Sequence, residues 1–188
     1  MSRDLLRGEE VKAIVRDAYG AVEAGTREVA QKLYSPEELA LVPDSAVDRA
    51  LGVANHLRYA EIGPGDVVLD LGCGAGIDTI LAARRAGRVI GLDFLPEMLE
   101  RTRAAALEAG LDNVETVAGE IEAIPLADDS VDHVISNGVI NLSARKARVL
   151  AECARVLRPG GRLTVSDLTV SDEELPTEIL MHPATWAG

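Results

Sequence analysis

Residues 67–78 run from a stretch of strand composition, Val-Val-Leu-Asp-Leu, through the turn Gly-Cys-Gly-Ala-Gly into an apolar helical pattern. That layout delivers the end of a β-strand to a nucleotide-like ligand. Gly72, Gly74 and Gly76 allow a tight turn and a close backbone approach, because a Cβ there would restrict φ or meet the ligand. A second acid, Asp93, closes the run Val89-Ile90-Gly91-Leu92 and stands 23 residues beyond Asp70. If the two runs are adjacent parallel strands, the turn supplies a backbone cradle, and Asp93 a carboxylate able to accept from both hydroxyls of a ribose. A dinucleotide site wants its third glycine one position later, where Ile77 stands, so that a pyrophosphate can rest on the helix N-terminus. The spacing argues against a dinucleotide.

Placing these groups requires an alternation of strands and helices, and the sequence supplies one. Strand patterns fall at residues 67–71, 89–92, 114–117, 131–136 and 162–166. Helical patterns fall at 77–86, then from Pro96 with Met98, Leu99, Thr102, Ala105, Ala106 and Ala109 on one face, then at 145–157. In the last, Ala147, Leu150, Ala154 and Leu157 are expected to face inward, and Pro159-Gly160-Gly161 to turn the chain into strand five. Such alternation predicts an α/β fold with a parallel sheet and helices on both faces. Upstream, the first thirty residues read as one or two amphipathic helices, Ser35-Pro36 as a helix start, 42–44 as a loop and 54–60 as a short helix. The expected organisation is an N-terminal helical lid over residues 1–62, a ligand-binding core over 63–170 and a short tail over 171–188, all in one compact domain. After strand five about twenty residues remain, which leaves that strand as an edge open to a homodimer contact, a partner chain or a covering tail. A natural early stop and a piece of a longer protein are both open.

The formal net charge of −12 opposes a nucleic-acid partner, whose phosphates would be repelled. No apolar run approaches the roughly 20 residues that span a bilayer, and the first ten residues lack an apolar leader, so a cytoplasmic protein is expected. Cys73 and Cys153 are far apart and give neither a disulfide framework nor metal-ligand spacing, so no metal is expected. Cys73 reads as a small turn residue and Cys153 as a small core residue.

The run Asp70-Leu71-Gly72-Cys73-Gly74-Ala75-Gly76, with Asp93-Phe94 after it, resembles the first motifs of class I S-adenosylmethionine-dependent methyltransferases. Gly119-Glu120-Ile121-Glu122-Ala123-Ile124-Pro125-Leu126 is similar to the segment in which that superfamily places an acid on the adenine amino group and an apolar residue on the ring. Arg155 to Leu163, with its Pro-Gly-Gly, looks like the turn before strand five. The resemblance implies a Rossmann-like sheet of order 3-2-1-4-5, shortened to about five strands, and S-adenosylmethionine as cofactor. It further implies that Glu120 and Ile121 hold the adenine. Met98 fits either the adenine or a core helical face.

Tyr34-Ser35-Pro36-Glu37-Glu38-Leu39-Ala40, with Val42-Pro43 and with Ser136-Asn137-Gly138-Val139-Ile140-Asn141-Leu142-Ser143, narrows the likeness to the arsenite methyltransferase family. That likeness extends over nearly the whole chain. The family holds trivalent arsenic with cysteine thiolates, at positions where this chain has Val53, Gly138 and, by looser matching, Thr185. A thiophilic ion needs thiolates, which valine and glycine cannot offer. By the same resemblance Asn137 and Asn141 lie near the transferred methyl group, where they orient an acceptor or bind the cofactor's amino-acid end, and Tyr19 reaches the cofactor's tail. His56 replaces a family proline in the acceptor region and is a candidate for catalysis. His133, inside strand four, reads as a core or sheet-face residue.

These readings imply in-line methyl transfer to a small-molecule acceptor. The alternatives are an arsenite methyltransferase relative with altered substrate, or a non-catalytic module that binds S-adenosylmethionine.

Overall fold

The computed structural model describes residues 26–169, together with residue 10 and residues 13–17. Helices α1 (Arg27–Leu33), α2 (Pro36–Leu39) and α3 (Asp44–Val47) precede a 3-10 turn at His56–Arg58. Strands and helices then alternate: β1 (Val67–Leu71), α4 (Ile77–Ala83), β2 (Arg88–Asp93), α5 (Pro96–Glu108), β3 (Val114–Ala118), β4 (Val131–Asn137), α6 (Lys146–Val156) and β5 (Leu157–Ser166). All four strand pairings are parallel, as the alternation of patterns predicts, and the order is β3-β2-β1-β4-β5, as the resemblance implies.

The central strand β1 is a near-continuous apolar run because both of its faces are covered. Val68, Val89 and Ile135 face a core shared with α4, Ala105 of α5 and the N-terminal helices. Their neighbours Leu69, Leu71, Leu92 and Val134 face the opposite core, which α6 closes with Val149, Cys153 and Val156. Each fully buried leucine of β1 contributes about 1.5–3 kcal/mol of burial. The chain thus crosses from one face to the other between β3 and β4, and the strands on either side of β1 are connected on opposite faces. That makes the carboxyl end of β1 a topological switch point, where such sheets leave a crevice.

Ser35 starts α2 as expected and does so through a full capping box. Its Oγ accepts from the Glu38 N–H at 3.2 Å, and the Ser35 N–H donates to Glu38 Oε2 at 2.8 Å. Arg27 ties α1 to α3 through Asp44 and Asp48.

Five expectations need correction. Residues 42–44 are not simply a loop, since Pro43 opens the short helix α3. The helix expected over 54–60 is one 3-10 turn, and α4 ends at Ala83. The buried stripe of α6 is Val149, Glu152, Cys153 and Val156, with Leu150 46% exposed. Apolar spacing alone favoured the wrong stripe, because Glu152 is held inside by Arg155 and by the Ile124 N–H. Finally, β5 begins at Leu157 rather than at 162. It carries Pro159-Gly160-Gly161 through a register shift between Val131 and His133, which is tolerated because β5 is the outer strand among the described residues. No helix among the described residues is long and apolar enough to cross a membrane.

The turn after β1 requires its glycines. Gly72, Gly74 and Gly76 have φ of 66°, 53° and 96°. A Cβ on Gly72 would also lie 2.6 Å from Val139 Cγ2. Gly72→Ala should therefore destabilise the fold by about 1–3 kcal/mol in urea titration. Adding Val139→Ala should recover the part due to the clash and leave the part due to φ.

Candidate active site at the strand ends

The register brings four strand ends level. Leu71 is paired with Leu92 and Ser136, and Asp93 with Ala118. The next residues along, Gly72, Gly119 and Asn137, therefore stand with Asp93 on one edge of the sheet. Gly72 and Cys73 N–H both donate to the Leu92 carbonyl, at 2.8 and 3.0 Å, and clamp the glycine turn against β2. A cavity opens here, floored by the strand ends and bordered by Val15 and residues 49–52 of the N-terminal part.

Asp93 lies in this cavity with both oxygens oriented from behind. Oδ2 accepts from the Gly74 N–H at 3.1 Å and Oδ1 from the Leu95 N–H at 3.0 Å. The Phe94 N–H also favours the carboxylate, which as a whole offers about four acceptor sites. Burial raises its pKa above the usual carboxylate value. Phe94, Met98, Glu120 and Ile121 line the cavity on the β2 and β3 side. The Arg16 guanidinium sits 5.9 Å from the centre of the Phe94 ring, linking the described N-terminal helical residues to this edge.

Asp70 and Asp78 line the part of the cavity nearest β1 and α4. Asp70 accepts from Thr79 Oγ1 at 2.6 Å. Burial, and next the charge of Asp78, push its carboxyl up to about 8. Asp78 accepts from the buried Tyr34 hydroxyl at 2.7 Å and from Asn137 Nδ2 at 2.9 Å. Burial and Asp78 raise the pKa of Tyr34, so it remains a neutral donor.

Asn137 lines the cavity, but its amide is committed to the scaffold. Nδ2 also donates to the Ala54 carbonyl at 2.8 Å, and Oδ1 accepts from Val53 N–H and Ser166 Oγ, both at 2.8 Å. Asn141 and His56 do not line the cavity. Asn141 is held by its backbone N–H on Asp167, while His56 is 2% exposed, and burial lowers its pKa. Gly76 stands behind the site, with Thr102 against the place a Cβ would take. The remaining residues expected at a cofactor, Gly72, Cys73 and Gly74, line the cavity. Tyr19 lies outside the described residues. His133 is a sheet-face residue bonded to Asp66 at 3.1 Å.

Sequence reading missed Asp78, Tyr34 and Arg49. Asp78 carried a signal, an acid in the first turn of the helix that follows the glycines. Tyr34 stood in a family motif with no role given to it and Arg49 carried no signal, since only tertiary packing brings them here.

Of the positions matching the family's thiolates, Val53 and Gly138 meet in space, and Thr185 lies outside the described residues. A Cβ on Gly138 would lie 3.3 Å from Val53 Cγ1. Both cysteines of the chain lie elsewhere, and burial raises both thiol pKa values, that of Cys153 to about 11. No His/Cys/Asp/Glu group among the described residues is arranged to hold a metal ion.

An α/β sheet of this order, with a glycine turn and an acid facing one crevice at its switch point, defines the Rossmann-like class I methyltransferase architecture. A model of the methyltransferase domain family matches residues 62–187, and the chain belongs to that family. The arsenite methyltransferase of Halobacterium salinarum is 44% identical over 158 residues, covering 82% of this chain and 40% of that protein. A malonyl-[acyl-carrier protein] O-methyltransferase of Methylococcus capsulatus is 38% identical over 125 residues, covering 65% of this chain and 45% of its own length. The crystal structure of an arsenic(III) S-adenosylmethionine methyltransferase from Chlamydomonas reinhardtii matches with a TM-score of 0.68 at 35% identity, over 87% of this chain and 55% of that one. The chain spans less than half the length of these two curated relatives.

Asp70 makes stability depend on pH. Its folded value of about 8 lies above the roughly 3.9 of an unfolded aspartate. The folded protein thus holds a proton that unfolding releases, and stability falls as pH rises from about 4 to about 8. Asp70→Asn should flatten that decline and raise Tm near pH 8, by about 2–4 °C for each kcal/mol recovered, in thermal denaturation across pH.

Proposed function

We propose that the chain carries the cofactor site and methyl-transfer centre of an S-adenosylmethionine-dependent methyltransferase acting on a small molecule. The observation that carries this reading is the shared cavity of the Gly72–Gly74 turn, the pre-oriented Asp93 carboxylate and the Glu120-Ile121 pair. The residues fit the cofactor. The turn leaves no room for a side chain at Gly72, and the acids Asp70, Asp78 and Asp93 suit a cationic sulfonium better than a phosphate. On this reading Asp93 accepts from the ribose hydroxyls, Glu120 from the adenine amino group, and Ile121, Met98 and Phe94 cover the ring.

When bound, the cofactor supplies an electrophilic methyl group open to in-line displacement. The protein's part is then chiefly placement of the acceptor. Val15, Arg16 and residues 49–52 act as the lid, and Asn137 acts indirectly, by holding Val53 and Ala54 over the strand ends. Acceptor contact falls to Leu51, Gly138, Val139 and Leu142, a mainly apolar surface. Arsenite is disfavoured as the acceptor, because Val53 and Gly138 stand together where two thiolates would be needed.

One observation supports the binding-module alternative: neither Asn141 nor His56 reaches the cavity, and Asn137 has no free amide atom. Release of S-adenosylhomocysteine with any member of an acceptor panel would exclude that alternative.

Isothermal calorimetry should show binding of S-adenosylmethionine and S-adenosylhomocysteine and none of NAD. Asp93→Ala should weaken both by at least about 100-fold, the order expected when a carboxylate loses two hydroxyl donors. Binding of NAD alone would overturn the assignment, and turnover of arsenite with a thiol present would overturn its exclusion as substrate.

A further inference from the structure

Arg49 is a cation that this reading leaves unused. It follows α3 and lines the cavity. Its Nη1 donates back to the Ser45 carbonyl at 3.2 Å. Its Nε is buried and has no acceptor among the described residues. A buried guanidinium N–H without a partner is unfavourable, and the edge formed by Nε and Nη2 is the fork that matches a carboxylate.

The position of this fork identifies the part of a ligand it would meet. Three residues beyond Arg49, Gly52 packs so closely on the Asn137 amide that a Cβ has no room, and Val53 N–H donates to Asn137 Oδ1. Gly52 and Val53 therefore lie at the β4 and β1 end of the cavity, across the sheet from Glu120 and Ile121 after β3, and Arg49 lines the cavity three residues before them. Asp70 and Asp78 lie at the same end. A guanidinium with an open N–H in the cavity that also holds the acid Asp78 is the complement of a zwitterion: the acid suits an ammonium, and the guanidinium a carboxylate.

We propose that Arg49 binds the α-carboxylate of the amino-acid tail of S-adenosylmethionine through its Nε–Nη2 edge. This rests on the cofactor reading above and assigns a carboxylate anchor to a residue of the lid. The lid then becomes part of the cofactor site, since a bound tail bridges residues 49–53 to the strand ends.

The test is calorimetry on wild type, Arg49→Ala and Arg49→Lys with three ligands. These are S-adenosylmethionine, S-adenosylhomocysteine and decarboxylated S-adenosylmethionine, which keeps the sulfonium and amine but has no carboxylate. Arg49→Ala should weaken the first two by about 10- to 100-fold and bind the decarboxylated ligand as tightly as wild type or more so. Arg49→Lys should recover only part of the loss, because an ammonium lacks the fork. Equal weakening of all three ligands would overturn the proposal in favour of a purely structural residue. Unchanged binding of all three, with a raised KM for an anionic acceptor, would overturn it in favour of an acceptor contact. Wild-type protein that binds none of the three would remove the cofactor reading itself, an outcome distinct from either.

Discussion

The carboxamide of Asn137 joins stretches of chain that are far apart in sequence: Tyr34, Val53-Ala54, Asp78 and Ser166 all bond to it. Each partner answers a buried polar group that would otherwise be left unmet, so the group is satisfied only when all of the stretches are in place. This constraint fixes the N-terminal segment over the carboxyl ends of β1 and β4 and so shapes one side of the cavity. It also explains why the acid Asp78 tolerates burial, held between a phenol and an amide. The shape of the crevice at the strand ends therefore depends on a polar knot behind it.

The glycine turn is the other half of that geometry. Parallel strands leave their backbone groups aimed along one edge, and three left-handed glycines fold the chain back without placing a side chain in the crevice. Clamped to Leu92, the turn lends two N–H groups to β2 and in return orients Asp93 through Gly74. Fold and site are continuous at this point: β1 and β2 cannot be in register without also aligning the turn and the acid.

Much of this was legible in the sequence, for reasons that differ by element. β1 and β2 were readable because a doubly covered strand is a plain apolar run ended by glycine or an acid, and α5 because Pro96 and its alanine-rich stripe mark one face. The stripe of α6 was not readable, since a glutamate buried by an arginine has no apolar signature. Nor was the start of β5, where a proline and two glycines signal a turn but the outer strand absorbs them as a bulge. At the site, residues tied to local motifs were found, and those brought in by packing, Tyr34 and Arg49, were not. Asn137 lines the cavity, but its bonds tie it to the scaffold, where the resemblance implied a residue that orients an acceptor or binds the cofactor's amino-acid end.

Val53 and Gly138 touch although 85 positions separate them in the chain. Neither belongs to the glycine turn, and Val53 joins the Asn137 amide only through its backbone N–H. A substitution at either position therefore changes what the other meets without altering the glycine turn. On the reading proposed above, side chains at these two positions can be exchanged, thiolates for valine and glycine, with the bonds from Val53 and Ala54 to Asn137 kept, because the chain gives those bonds from its backbone.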